Sequence, residues 1–208
     1  INGLLVSSTS KTGIKTDFGY DLLERRTSVT DPRTGTSITH YNSKGQVDYV
    51  EDAASNRTSY AYSPDTGRQI AVSNALGQVV RYGYNLRGQL VRAWGDAVYP
   101  VGYGFDDFDR MVSMTTYRSG IGWGGDSWPA NTGTGDITTW LYDQVTGLLT
   151  NKLYADGKGP SYSYTSDGKL ASRTWARTSG GANLVTTYSY TNSGELTGVD
   201  YSDSTPDV

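Results

Sequence analysis

The sequence predicts an all-β chain of tandem antiparallel β-hairpins, each about 21 residues long, forming a curved, spiralling sheet. Three observations predict it. Aromatic residues that close strand-like runs recur at Tyr20, Tyr41, Tyr62, Tyr84, Phe105, Tyr142, Tyr164 and Tyr190, with gaps of 21, 21, 22, 21, 37, 22 and 26 residues. A glycine follows most of them at four or five residues: Gly45, Gly67, Gly88, Gly147, Gly168 and Gly194. No stretch keeps apolar residues at helical spacing over three turns, so the recurring element is not a helix.

Each position has a physical reason. A second aromatic often stands two residues earlier, as at Phe18, Tyr60, Tyr82 and Trp140. Strand side chains alternate, so both rings share one face. Asp, Asn, Ser or Thr comes next, as at Asp21, Asn42, Asn85 and Thr165, and opens a turn by bonding nearby backbone N–H groups. Glycine closes that turn, where positive φ costs it nothing. Glu24 and Asp109 take its place in two units. Turns are therefore predicted at Asn42–Gly45, Asn85–Gly88 and Thr165–Gly168. Opposite turns are predicted at Asp31–Gly35, Asn74–Gly77 and Ala155–Lys158. Aromatic rings of adjacent units, such as Tyr60 and Tyr62 with Tyr82 and Tyr84, are expected to form ladders.

Composition narrows the function classes. The 208 residues include 17 Tyr against 3 Phe, which suits a half-dry sheet face because tyrosine has an apolar body and a polar tip. The formal net charge is −3, which argues against a nucleic-acid partner. With no cysteine, disulfides, Cys-based zinc sites and thiol chemistry are excluded. No apolar run approaches a membrane span. The chain begins at Ile1 without a signal-peptide pattern and reads as an internal piece of something longer.

The segments Tyr84-Asn85-Leu86-Arg87-Gly88-Gln89-Leu90 and Tyr164-Thr165-Ser166-Asp167-Gly168-Lys169-Leu170 resemble the tyrosine–aspartate repeats of the Rhs family. That family includes bacterial Rhs polymorphic toxins, the shell components of insecticidal toxin complexes, and teneurins. The resemblance implies a single repeat array over residues 1–208 that forms part of a hollow β-shell. It also implies a secreted or cell-surface location. Neither a self-cleaving core segment nor a variable toxin domain is recognisable. Eight units supply about 16 strands, a strip about 77 Å wide, which would close to only about 25 Å across. That bore is too narrow for a folded cargo of about 100 residues. A wall segment is the expected role, with neighbouring repeats or other copies as partners through edge strands. Association is expected where the chain starts at Ile1-Asn2-Gly3-Leu4 and stops at Pro206-Asp207-Val208.

Chemistry is expected to be absent, with no catalytic residue, metal ligand or cofactor. His40 is the single histidine, and no nucleophile-turn motif accompanies it, so it reads as an ordinary strand-end residue and a hydrolase is only a third class. Asp106, Asp107 and Asp109, and the pair Asp200 and Asp203 with Asp207, read as turn acidity rather than calcium ligands. Asp31-Pro32 reads as a turn, and the acceptor pattern Asn56-Arg57-Thr58 as incidental. The 37-residue gap holds a glycine-rich insertion at about 118–136. Its Trp123 and Trp128, with Asp126 and Asn131, either plug the open end of the sheet or form a contact surface for a glycan or protein. Trp94, Trp140 and Trp175 are expected to pack.

Overall fold

A computed structural model describes residues 3–205, and none of these is helical. The expectations for Ile1, Asn2, Pro206, Asp207 and Val208, including association there, lie outside the described residues. The chain divides into two compact units. The first holds residues 1–100 and 122–130, and the second holds 101–121 and 131–208.

The first unit is a meander of β1 (Ser7–Thr9), β2 (Lys15–Tyr20), β3 (Arg26–Asp31), β4 (Gly35–Tyr41), β5 (Val47–Glu51), β6 (Arg57–Tyr62), β7 (Gln69–Ser73), β8 (Val79–Tyr84) and β9 (Leu90–Gly95). Each strand pairs antiparallel with the next. Strand β10 (Val98–Phe105) leads into the second unit. There it is followed by β11 (Met111–Ser119), β12 (Gly133–Tyr142), β13 (Leu149–Leu153), β14 (Ser161–Tyr164), β15 (Leu170–Ser179), β16 (Ala182–Tyr190) and β17 (Leu196–Tyr201). These too pair in sequence order, all antiparallel.

The repeat has a structural signature at its aromatic. At Tyr20, Tyr41, Tyr62, Tyr84, Phe105, Tyr142, Tyr164 and Tyr190 the ladder register shifts by a bulge. The turn that follows explains the bulge. In the β4–β5 turn, Asn42 Oδ1 accepts the N–H groups of Lys44 and Gln46 at 2.9 and 3.0 Å, and the Gly45 N–H donates to the Asn42 carbonyl at 2.9 Å. Gly45, Gly88 and Gly168 have φ of 81°, 86° and 84°, so each leaves its turn through the left-handed region. Glu24 and Asp109 adopt φ of 62° and 63° at the equivalent position without glycine's freedom. Their turns carry a reinforcement instead. Asp21 binds Arg25, and Asp106 binds Arg110, with N···O distances of 2.7 Å. Where asparagine opens the turn, glutamine replaces arginine: Asn42 Nδ2 donates to Gln46 Oε1 at 3.1 Å, and Asn74 Nδ2 to Gln78 Oε1 at 2.9 Å.

Successive hairpins are joined through tyrosine hydroxyls rather than by ring stacking. Tyr20, Tyr41, Tyr62, Tyr84 and Tyr164 each donate to a backbone carbonyl 15 residues earlier, at 2.8–3.1 Å. Tyr142 and Tyr190 do the same across longer intervals, to Met111 and Leu170 at 2.9 Å. The expected ring contact of Tyr60 and Tyr62 with Tyr82 and Tyr84 is thus replaced by hydroxyl-to-carbonyl bonds and by cations. Arg25 lies over Tyr41 at 4.4 Å and Arg110 over Tyr142 at 4.5 Å. The reason is spacing: ring planes two strands apart lie about 10 Å away from each other, a gap that an arginine fills and two rings do not.

The interior is sparse. Besides prolines such as Pro100, the buried large apolar side chains among the described residues are Trp94 and Leu184, at 8% exposure. Thr186 is the buried polar one. Strand faces that are half-dry leave much of the cohesion to the hydrogen-bonded ladder.

Candidate functional site

The insertion is shorter than its glycine content suggests. Strands β11 and β12 run to Ser119 and from Gly133, leaving residues 120–132 as the connection. Arg118 and Asp136, expected in the loop, lie in those strands and form an ion pair. Gly135 permits the extension, because a Cβ there would meet the Thr115 side chain at 2.7 Å.

Within the first unit, residues 122–130 fold onto the face formed by β7, β8 and β9. The Trp94 indole N–H donates to the Gly125 carbonyl at 3.1 Å, and Arg81 donates to the Gly124 carbonyl at 3.2 Å and pairs with Asp126. Trp128 meets Trp94 edge-on, with centroids 5.7 Å apart and an interplanar angle of 79°, and Arg92 lies 5.1 Å over its ring. Trp123 meets Tyr99 at 5.2 Å and 87°. The Trp123 indole nitrogen is buried without a hydrogen-bond partner among the described residues. Asn131 belongs to the second unit, where its Oδ1 accepts the Gly133 N–H at 3.1 Å.

Beside the loop lies an open cleft of about 500 Å³, lined by Ile70, Ala71, Arg81, Tyr82, Trp94 and Asp126. It offers one cation and one anion already paired with each other, set against apolar walls. The sequence singled out Trp123, Asp126 and Trp128 but not Arg81, Arg92 or Tyr99, which receive them. Nothing in local spacing marks those residues, because the contacts span 24 to 45 positions.

His40 sits in β4, stacked on Tyr49 at 4.8 Å, with Nδ1 3.0 Å from Asp48 Oδ2. Asp106 is held by Arg110, and Asp203 accepts the Thr205 N–H at 3.0 Å. Among the described residues no group of three or more His, Cys, Asp or Glu is placed to hold a metal ion. Asn56 closes a turn in which its Nδ2 donates to Asp52 Oδ2 at 2.9 Å.

A repeating bulge, an Asx or Thr turn and a tyrosine bond to the preceding hairpin therefore define the unit. Residues 2–36 match the family model of the RHS repeat. That match lies apart from the segments 84–90 and 164–170, whose tyrosine motifs carry the resemblance. No curated protein matches the chain. Among solved structures, the fold is similar to that of TcdB2-TccC3 without its hypervariable C-terminal region, with a TM-score of 0.57 and 18% identity over 98% of this chain. It is similar to the TcdB2-TccC3-Cdc42 structure at a TM-score of 0.55 and 18% identity over 96% of this chain. It is equally similar to the Tc holotoxin pore of Photorhabdus luminescens, at 0.55 and 18% over 95%. The chain spans 13% of the length of each of these.

Proposed function

We propose that this Rhs-type repeat array is a structural, non-enzymatic wall segment of a larger secreted or cell-surface polypeptide. In this reading it contributes to a β-shell that encloses, displays or delivers another domain. The observation that carries the reading is the tyrosine bond from one hairpin to the backbone of the hairpin before it. A bond to a carbonyl accepts any side chain at the acceptor position, so the array extends without a new interface at each unit. The fold likeness to TcdB2-TccC3 supports the same role. The loop carrying Trp123 and Trp128 serves as packing in this reading: its rings meet their neighbours at 87° and 79°, edge-on rather than as a coplanar stacking platform.

Protease protection of the natural polypeptide that carries the chain tests this. A wall segment leaves an enclosed domain resistant to cleavage until the array is unfolded. Cleavage of every other domain at the rate seen in the unfolded polypeptide would overturn the proposal.

A further inference from the structure

The second unit carries a cationic site that its described residues do not neutralise. Register places Trp140 opposite Lys152, and Tyr162 opposite Arg173. Alternation then puts Tyr154 and Trp175 on that same face. Lys152 Nζ lies 5.3 Å from the Trp140 ring and 5.1 Å from the Tyr154 ring. Arg173 stacks on Trp175 at 3.5 Å and lies 5.8 Å from Tyr162. Trp175 is itself fixed, its indole N–H donating to the hydroxyl of buried Thr186 at 3.0 Å. Rings of this kind hold a cation in place without supplying a counter-charge.

Among the described residues neither cation has a carboxylate partner, and the buried Arg173 Nε has no acceptor. The carboxylate that alternation puts on this face of β12, Asp136, is taken by Arg118. The Nη groups of Arg173, unlike its Nε, are not among the buried unpaired atoms, so an incoming carboxylate meets the guanidinium there.

We infer that this face binds an acidic polypeptide segment in extended conformation, with carboxylates engaging Lys152 and Arg173. Ladder register sets Lys152 beside Pro160, two residues from the level of Tyr162 and Arg173, and β13 and β15 flank one strand between them. Strand spacing and rise then put the two positions about 12 Å apart. Carboxylates four residues apart on an extended chain lie about 13 Å apart and on one side. The planar fork of arginine suits a carboxylate. A glycan fits less well, because Arg173 already covers the Trp175 ring that a sugar would use. Nucleic acid fits less well, because two cations release few counterions. The face lies wholly in the second unit, so binding there does not depend on the shell.

Titration of the full chain with octaglutamate at low salt tests the inference, beside an uncharged octapeptide, a sulfated oligosaccharide and inorganic phosphate. Saturable octaglutamate binding is expected, weakened about tenfold in each of Lys152→Gln and Arg173→Gln. A thermal melt by circular dichroism confirms folding, and if Arg173→Gln does not fold then Lys152→Gln alone decides. The inference is overturned by absence of octaglutamate binding, by equal binding of the uncharged peptide, or by unchanged affinity in the folded variants. Tighter binding of the oligosaccharide or phosphate through the same residues would overturn it in favour of those ligands.

Discussion

Tyr62 donates its hydroxyl hydrogen to the Val47 carbonyl at 2.9 Å, and Val47 is the residue that pairs with Tyr41 across the ladder. The aromatic of one repeat thus bonds the strand partner of the aromatic before it. Tyr84 treats Gln69 in the same way, at 2.8 Å, and Gln69 pairs with Tyr62. The bulges at Tyr20, Tyr41, Tyr62, Phe105, Tyr142 and Tyr164 are each held in this way by a later tyrosine, which couples local turn geometry to the cohesion of the array.

Tyr62→Phe keeps the ring and deletes the bond. It is expected to lower stability by about 1 kcal/mol in urea unfolding. The loss reports the hydroxyl alone, because Phe105 shows that the position accepts phenylalanine without loss of the bulge. An unchanged midpoint in both Tyr62→Phe and Tyr164→Phe would mean that the hydroxyls merely exchange water for carbonyl.

Turn conformation gives paired effects of opposite sign. A Cβ at Gly168 meets nothing within 4 Å, so Gly168→Val is strained by its φ of 84° alone and should cost about 1–2 kcal/mol. Gly88→Val adds a clash with the Arg68 guanidinium and should cost at least as much. Glu24→Gly should instead stabilise by about 0.5–1 kcal/mol, because it relieves the same strain at φ 62°. Thermal unfolding of the three variants checks the signs, and a stabilising Gly168→Val would refute the turn assignment.

Much of this was legible in the sequence. Turns announce themselves through side-chain chemistry, so Asn42–Gly45 and Thr165–Gly168 follow from Asx or Thr at one end and glycine at the other. The Ala155–Lys158 turn opens one residue earlier, where the Tyr154 N–H donates to the Lys158 carbonyl at 2.7 Å. The tyrosine acceptors were not legible, because a backbone carbonyl leaves no mark on residue type. Arg81 and Arg92 were hidden for another reason. They contact a loop far along the chain, and alternation shows a face but not what covers it.

Acid should weaken the turns. The guanidinium of Arg33 beside Asp31 and the ammonium of Lys169 beside Asp167 each hold a carboxyl down at about 2, and Arg25 lowers Asp21. A carboxyl depressed in the folded state contributes stability above its unfolded pKa and loses it as pH falls through the folded value. The urea midpoint is expected to be level from about pH 7 to about pH 5 and to fall between about pH 4 and about pH 2. High salt should shrink the effect, since these carboxylates are exposed. A midpoint that stays level to about pH 2 would contradict it.

The Trp loop separates packing from recognition. If Trp128 packs on Trp94, Trp128→Ala should destabilise the chain by about 2 kcal/mol, less than a fully buried tryptophan would. Full stability in that variant, together with lost binding to a glycan array, would make the loop a recognition surface.

An electron cryomicroscopy map of the natural polypeptide that carries these repeats tests the wall-segment account most directly. The account predicts a hollow β-walled enclosure in which the hairpins of this chain form part of the wall, continuous with repeats on either side. An isolated sheet projecting into solvent, with no enclosure around another domain, would contradict it.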